Sequence, residues 1–328
     1  MQYVIDKDNR QINVTIRNFD INSDLVPLVN LRNRLISEGE PPTTLEQQRE
    51  ELRAPNQRPE TDRWVVTQAD DPSGMLLGQA FGYHTVPERY LAWVGVDPEW
   101  RRQGLGQQLL TRVVDRAKSL AVEHILIYAN ENNAASRSFL EANGFWAKSD
   151  FWSLTAPAEL PVAVPKWPEG YKVNSFAEVQ DFAILKQAYT HSYGDLWGHG
   201  ANSIAARKWP PERMADNWIQ DGDPEGEGIF ILYAPNGNIV GLCRGVLGEA
   251  QGEQLPVGVV DSPAITADYY HLGLQKPLAL TVMQWLRTRG QGSLELCSYG
   301  DSAATVALYQ EIGFLLAKHA IAYHMDID

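Results

Sequence analysis

The sequence predicts an α+β fold built from two tandem domains, each a mixed, mostly antiparallel sheet flanked by helices. Three observations predict it. Two pairs of landmarks repeat at one spacing: Gly104-Leu105 recurs as Gly273-Leu274, and Gly144-Phe145 as Gly313-Phe314, each 169 residues later. In both copies the first landmark follows an apolar, strand-like run and opens an amphipathic helix, and the second closes a later helix. The starts of the copies also agree: "VTIRNF" (Val14 to Phe19) is similar to "YKVNSF" (Tyr171 to Phe176), an alternating strand followed by a helical stretch.

In the first copy a strand is expected over 12–18. Leu25, Leu28, Val29, Leu31 and Leu35 recur near the helical period and predict a helix over 24–38. A second helix over 44–53 follows, then strands over 63–69, 75–84 and 90–96. Leu105, Leu109, Val113, Ala117 and Leu120 form the apolar stripe of a helix over 105–120. The copy closes with a strand over 124–129, a helix over 133–142 and a strand over 145–154. Between Thr155 and Gly170 four prolines disfavour helix and push the residues before them towards extended backbone. This places a boundary near 156–168, giving domains 1–156 and 169–328. The second copy predicts helices over 178–192 (Phe182, Leu185, Tyr189), 274–289 and 302–312. Its strands are expected over 228–234, 239–247, 256–265, 293–297 and 314–324.

The length, 328 residues, suits about two domains, and 44% apolar residues suffice for full cores. A net charge of −13 argues against nucleic acid as the main partner, which needs a basic face. Acidity keeps a protein soluble and weakly attracts a cationic acceptor such as an amine. The two cysteines, Cys243 and Cys297, sit in apolar runs and suggest a reducing compartment rather than a disulfide. Met1 to Gln11 is polar and lacks the apolar core of a signal peptide, and no segment approaches the ~18 apolar residues of a membrane span. A cytoplasmic protein without membrane contact, monomeric or homodimeric, is expected. No Cys/His cluster has metal-ligand spacing, so no metal is expected.

The chemistry concentrates at Arg101-Arg102-Gln103-Gly104-Leu105-Gly106. A strand, a basic glycine loop and a helix N-terminus in that order hold a phosphate, because glycine lets the backbone come close and the helix start presents unpaired N–H groups. The loop lacks the Gly-Lys-Ser/Thr of a Walker A motif and the third glycine of a dinucleotide fingerprint. Arg-x-x-Gly-x-Gly after "WVGVDPEW" strongly resembles the coenzyme A pyrophosphate loop of the GCN5-related N-acetyltransferase (GNAT) family. "ENNAASRSFLEANGF" (Glu131 to Phe145) resembles the helix that flanks the coenzyme's thiol arm there. The resemblance is strong over 90–146 and weaker over 169–326, and the tandem layout resembles two-copy bacterial enzymes of the family.

The resemblance implies acetyl transfer from acetyl-CoA to a primary amine of a small molecule or peptide, directly in a ternary complex. Trp93, Val94, Gly95 and Val96 would line the pantetheine slot, with the backbone of Val96 or Val94 meeting the thioester carbonyl. Asn133 would bond pantetheine or cap its helix. The family's tyrosine acid is replaced by Leu140, for which Tyr128, Ser136 or water would substitute. In the second copy Tyr309 stands at that acid position, but the loop reads Tyr270-His271-Leu272-Gly273-Leu274-Gln275, with the arginine and last glycine gone, and Ser302 replaces the asparagine. Candidate bases are His84, Glu88 and Tyr90. The acceptor would meet Arg32 to Gln48 and Thr85 to Arg89, and in the second copy an aromatic region with Trp197, Trp209 and Trp218. A chain so altered also fits a non-catalytic acyl-CoA-binding sensor or scaffold, or an enzyme using a longer acyl-CoA.

Overall fold

A computed structural model describes residues 2–7, 10–36, 41–69, 71, 74–86, 88–193, 225–250 and 255–327. The chain forms two compact units. One holds Met1–Tyr128, Ala142–Trp146 and Tyr323–Asp328, the other Ala129–Glu141 and Ala147–Ala322. Each unit therefore takes residues from both sequence copies.

In the first unit the strands β1 (Gln2–Lys7), β2 (Arg10–Asn18), β3 (Arg63–Gln68), β4 (Leu76–Val86), β5 (Arg89–Val96) and β6 (His124–Asn130, its last two residues excepted) lie side by side in that order. All neighbours are antiparallel except β5 and β6, which run parallel. Its helices are α1 (Ile21–Leu35), α2 (Leu45–Arg53), α3 (Pro59–Asp62) and α4 (Leu105–Ser119). Asp20 caps α1, and a reciprocal Thr44–Gln47 capping box starts α2. Leu25, Leu28 and Leu31 of α1 and Leu52 of α2 pack with Val65 and Leu76 of the sheet. Leu105, Leu109, Leu110, Val113 and Ala117 form the buried stripe of α4. β1 was not expected: of its residues Ile5 alone is buried, so the segment carries almost no apolar alternation.

In the second unit the strand order is β7 (Trp146–Ala156, its first residue excepted), β13, β11, β10, β9, β8. These are β8 (Lys172–Ser175), β9 (Ile229–Tyr233), β10 (Ile239–Val246), β11 (Gly258–Asp261) and β13 (Leu294–Tyr299), with the short β12 (Ala264–Ile265) also paired to β10. β14 (Leu315–Asp326) follows, and its last residues belong to the first unit. The helices are α5 (Ala134–Ala142, its final residue excepted), α6 (Phe176–Val179), α7 (Phe182–Tyr193), α8 (Gln275–Thr288) and α9 (Ala303–Glu311). Two expected elements are divided. Gln180 takes a left-handed φ of 49° and ends α6, and Asp181 restarts the helix by accepting from the Ala183 and Ile184 amides. The expected 256–265 strand breaks at Ser262-Pro263 into β11 and β12. The proline-rich segment packs Leu160, Val162 and Trp167 on the core around α8, and Pro157 O accepts from Arg287 Nη2. Both cysteines are free.

Candidate active site

The loop after β5 has an unusual backbone. Arg102 and Gly104 both take left-handed φ, 64° and 78°, and a Cβ on Gly104 would meet open space. The first amide bonded back along α4 is that of Gln108, to Gly104 O. From Arg102 to Gln107 no amide has a backbone acceptor, so Arg102, Gln103, Gly104, Leu105, Gly106 and Gln107 present a run of N–H donors. Alternating left-handed residues at a helix start make a concavity for an anion. Arg101 is exposed, its Nε bonding Val96 O at 3.1 Å, and Arg102 is exposed beside it. The backbone at Gly104 is open to an approaching phosphate, and two guanidinium groups flank the place. The residues present therefore fit a pyrophosphate.

β5 supplies the second part. Its pairing with β4 runs the full strand, but its parallel pairing with β6 consists of Arg89–His124, Tyr90–Ile125 and Leu91–Leu126 and stops there. From Ala92 to Val96 the β6-facing edge is open, and Trp93, Val94, Gly95 and Val96 are half-buried. An open strand edge accepts an extended, amide-bearing chain by backbone hydrogen bonds. Gly95 is required by its neighbour. A Cβ there would lie 2.1 Å from the Trp93 ring, which leans over it and stacks on Phe81 with centroids 5.8 Å apart.

A polar network occupies the face that Trp93 and Phe81 share. The register aligns Arg63, Phe81 and Trp93 across β3, β4 and β5, with Gln79 and Gly95 in the next row but one. Arg63 is 1% exposed, lies 4.2 Å over the Phe81 ring, and donates from Nη1 to Gln79 Oε1 (2.8 Å) and from Nη2 to Glu51 Oε1 (3.3 Å). Arg32 of α1 pairs with Glu51 Oε2 and donates to Gln48 Oε1 at 2.8 Å. Burial pushes the Arg63 guanidinium down to about 10; Arg32 adds to the effect and Glu51 opposes it. Tyr83 is shifted up by burial and by Glu51. The sequence patterns did not single out Arg63, Glu51 or Gln79. A polar residue at an inward position of an apolar alternation was the signal available.

The acetyltransferase (GNAT) family profile matches residues 28–145 and 186–314. The chain belongs to the GNAT family. Its matched segments end 169 residues apart, the interval of the glycine landmarks. Relatives include the mycothiol acetyltransferase of Rhodococcus opacus, 27% identical over 79% of this chain and 81% of its own. That of Thermobispora bispora is 26% identical over 67% and 70%. The fold is shared with a GCN5-related N-acetyltransferase from Sphaerobacter thermophilus (TM-score 0.72, 19% identity, 96% of each chain). A tandem GNAT protein from the clavulanic acid biosynthesis pathway is also similar (TM-score 0.58, 15% identity, 96% of this chain and 99% of the other). The protein is thus a tandem GNAT, an N-acetyltransferase by class.

The remaining GNAT landmarks fall as follows. Asn133 caps α5, its Oδ1 accepting from Ser136 N–H at 3.0 Å, and belongs to the second unit. Leu140 is buried. His84 pairs across from Tyr90, their rings edge to face at 5.7 Å, and its Nδ1 has no partner. Glu88 is buried in the turn before β5 with both carboxylate oxygens unpartnered. Tyr90 OH is also unpartnered, and burial foremost pushes this phenol well above its usual range. His84, Glu88 and Tyr90 stand at the start of β5, whereas the loop follows its end, roughly 20 Å away at the ~3.3 Å rise of a strand.

The second copy's loop differs in backbone as well as sequence. Residues Ala267–Leu272 wind into a 3₁₀ turn, Gly273 N–H bonds Tyr270 O, and Lys276 N–H bonds Gly273 O. Gly273 is left-handed (φ 63°) but has no left-handed neighbour two residues earlier. Donors free in the first loop are used internally in the second. Gln275, which stands where the first loop has its last glycine, is buried. Tyr309 is fully enclosed, and its hydroxyl donates to Asp301 Oδ2 (2.9 Å), which also accepts from Ser262 and Ser298. Burial raises the Asp301 carboxyl above its ordinary range against those three bonds. Trp197, Trp209 and Trp218 lie outside the described residues. Among the described residues no cluster of metal-ligating side chains occurs and no helix is long and apolar enough to cross a membrane.

Proposed function

We propose that the first copy, residues 1–156, binds acetyl-CoA and transfers its acetyl group directly to a primary amine of a small molecule, with the second copy, residues 169–328, as support. The run of unpaired amides from Arg102 to Gln107 carries this reading. It would hold the pyrophosphate with help from Arg101 and Arg102, and pantetheine would lie along the open edge of Trp93–Val96. A backbone N–H of that edge would steady the oxyanion formed when the amine nitrogen attacks the thioester carbonyl. The C–S bond then breaks and coenzyme A leaves as thiolate. Holding both substrates in line supplies much of the rate.

The amine must lose a proton. His84 Nδ1 and the Glu88 carboxylate are unpartnered, and because they stand toward the far end of β5 they would act through water. Relatives named for mycothiol support a small-molecule acceptor. Solved structures of this fold include an N-myristoyltransferase with bound myristoyl-CoA, which supports an acyl-CoA donor.

The test is thiol release from acetyl-CoA with a panel of amines. Gly104→Glu, which puts a carboxylate into the loop, should abolish both turnover and coenzyme binding. Binding that survives would show the loop assignment to be wrong. His84→Ala should lower kcat while leaving coenzyme binding intact, and an unchanged kcat removes His84 from proton transfer.

A further inference from the structure

The network beside Trp93 is electrically and chemically incomplete. Its charged members are two guanidinium groups, Arg32 and Arg63, and one carboxylate, Glu51, which both share. Elsewhere in the first unit arginine pairs run one to one: Arg17 with Asp24, Arg34 with Asp97, Arg116 with Asp62. One positive charge is therefore left over at a place where Arg63 is almost fully enclosed. Two buried donors there also lack acceptors, Arg63 Nε and Gln48 Nε2. A buried donor without a partner costs about 1–3 kcal/mol, so a pair of them in one network is an arrangement that a ligand would repair. Arg32 and Glu51 keep 29% and 33% of their side chains exposed, so the network reaches solvent. The strand register sets Arg63 in the row that ends at Trp93, on the open edge of β5.

We propose that the acceptor amine carries a carboxylate, and that Arg63 Nε, Gln48 Nε2 and the surplus charge of Arg32 and Arg63 bind it. The inference rests on the acetyl-transfer reading and deepens it. A carboxylate is acceptor-only and bears the missing charge, and a guanidinium is its best partner. The strands are ~4.8 Å apart, so Arg63 stands roughly 10 Å from the β5 edge, a span that suits an amino acid or an aminoacyl compound. Such a zwitterion also meets less long-range repulsion from a chain of net charge −13 than a plain anion would.

The experiment compares matched acceptors with the full-length protein: L-lysine with cadaverine, L-ornithine with putrescine, L-phenylalanine with phenethylamine. The carboxylated member should be preferred at least tenfold in kcat/KM. In Arg32→Gln and in Gln48→Leu, a near-isosteric change, that preference should fall at least fivefold through KM. A structural role alone would lower both members equally. Independently of turnover, calorimetric titration in the presence of coenzyme A should show N-acetylated amino acids binding tighter than the matching N-acetylated amines, with the difference lost in both variants. Equal binding of the two members, no binding of the carboxylated one, or a preference that the variants leave intact overturns the subsite. Failure of every amine to release thiol counts against acetyl transfer, while the titration still judges the subsite.

Discussion

At the scale of the residue, strain and function coincide at Arg102. A non-glycine residue in left-handed backbone costs about 1–2 kcal/mol, and Arg102 sits there with an exposed side chain. Arg102→Gly should therefore raise Tm while weakening acetyl-CoA binding several-fold, with the salt dependence of binding reduced. A variant that is both less stable and unaltered in affinity would deny the loop its anion role. Tyr309 shows the opposite, a side chain that sequence marks for chemistry and packing claims. Asp301's folded pKa is raised, so its ionised form subtracts stability at neutral pH, and that cost disappears as pH falls through the folded value. Tyr309→Phe removes a bond that favours the ionised form. It should cost about 1–2 kcal/mol at neutral pH and less at an acid pH below the raised folded value of Asp301. Denaturant unfolding at both pH values checks this, and a loss that grows on acidification contradicts it. Residue identity alone could not separate these cases, because whether a phenol is free or bonded depends on residues far along the chain, Ser262 and Asp301 among them.

Elements were the most legible level. The helical stripe of Leu105, Leu109, Val113 and Ala117 is buried as its spacing required. Position on the sheet also explains why α4 can lie so close. A Cβ on Gly78 would be 3.3 Å from Leu109 Cδ1 and 3.1 Å from Gly95 O, so glycine in β4 makes room for the helix whose start forms the phosphate loop. Leu109→Ala should lose about 3 kcal/mol of stability, since that leucine is fully buried. A loss below about 1 kcal/mol would mean that α4 is not seated through this stripe. Elements were missed where little apolar surface is buried, as in β1, or where one residue interrupts a period, as Gln180 does between α6 and α7. The stopping point of the β5–β6 pairing, which opens the slot, was not readable either. It depends on two strands distant in sequence ceasing to pair after Leu91 and Leu126.

At the scale of the molecule, duplication was legible because glycines at helix starts and ends are set by local backbone geometry and survive in both copies. The membership of the compact units was not. Tyr323–Asp328 belongs to the first unit, where Ile327 N–H bonds Glu123 O at 2.8 Å, and β7 pairs with β13 in the second. A short strand of ordinary composition fits either sheet, so its local sequence does not name its partner. The loops of the two copies differ in their backbone amides: those of Gly104 and Gln107 have no backbone acceptor, whereas those of Gly273 and Lys276 bond Tyr270 O and Gly273 O, and the proposal of one coenzyme site per chain follows from this difference. Calorimetric titration of the full-length protein with acetyl-CoA tests it most directly. A single coenzyme site gives a stoichiometry of one; two sites, or none, would contradict it.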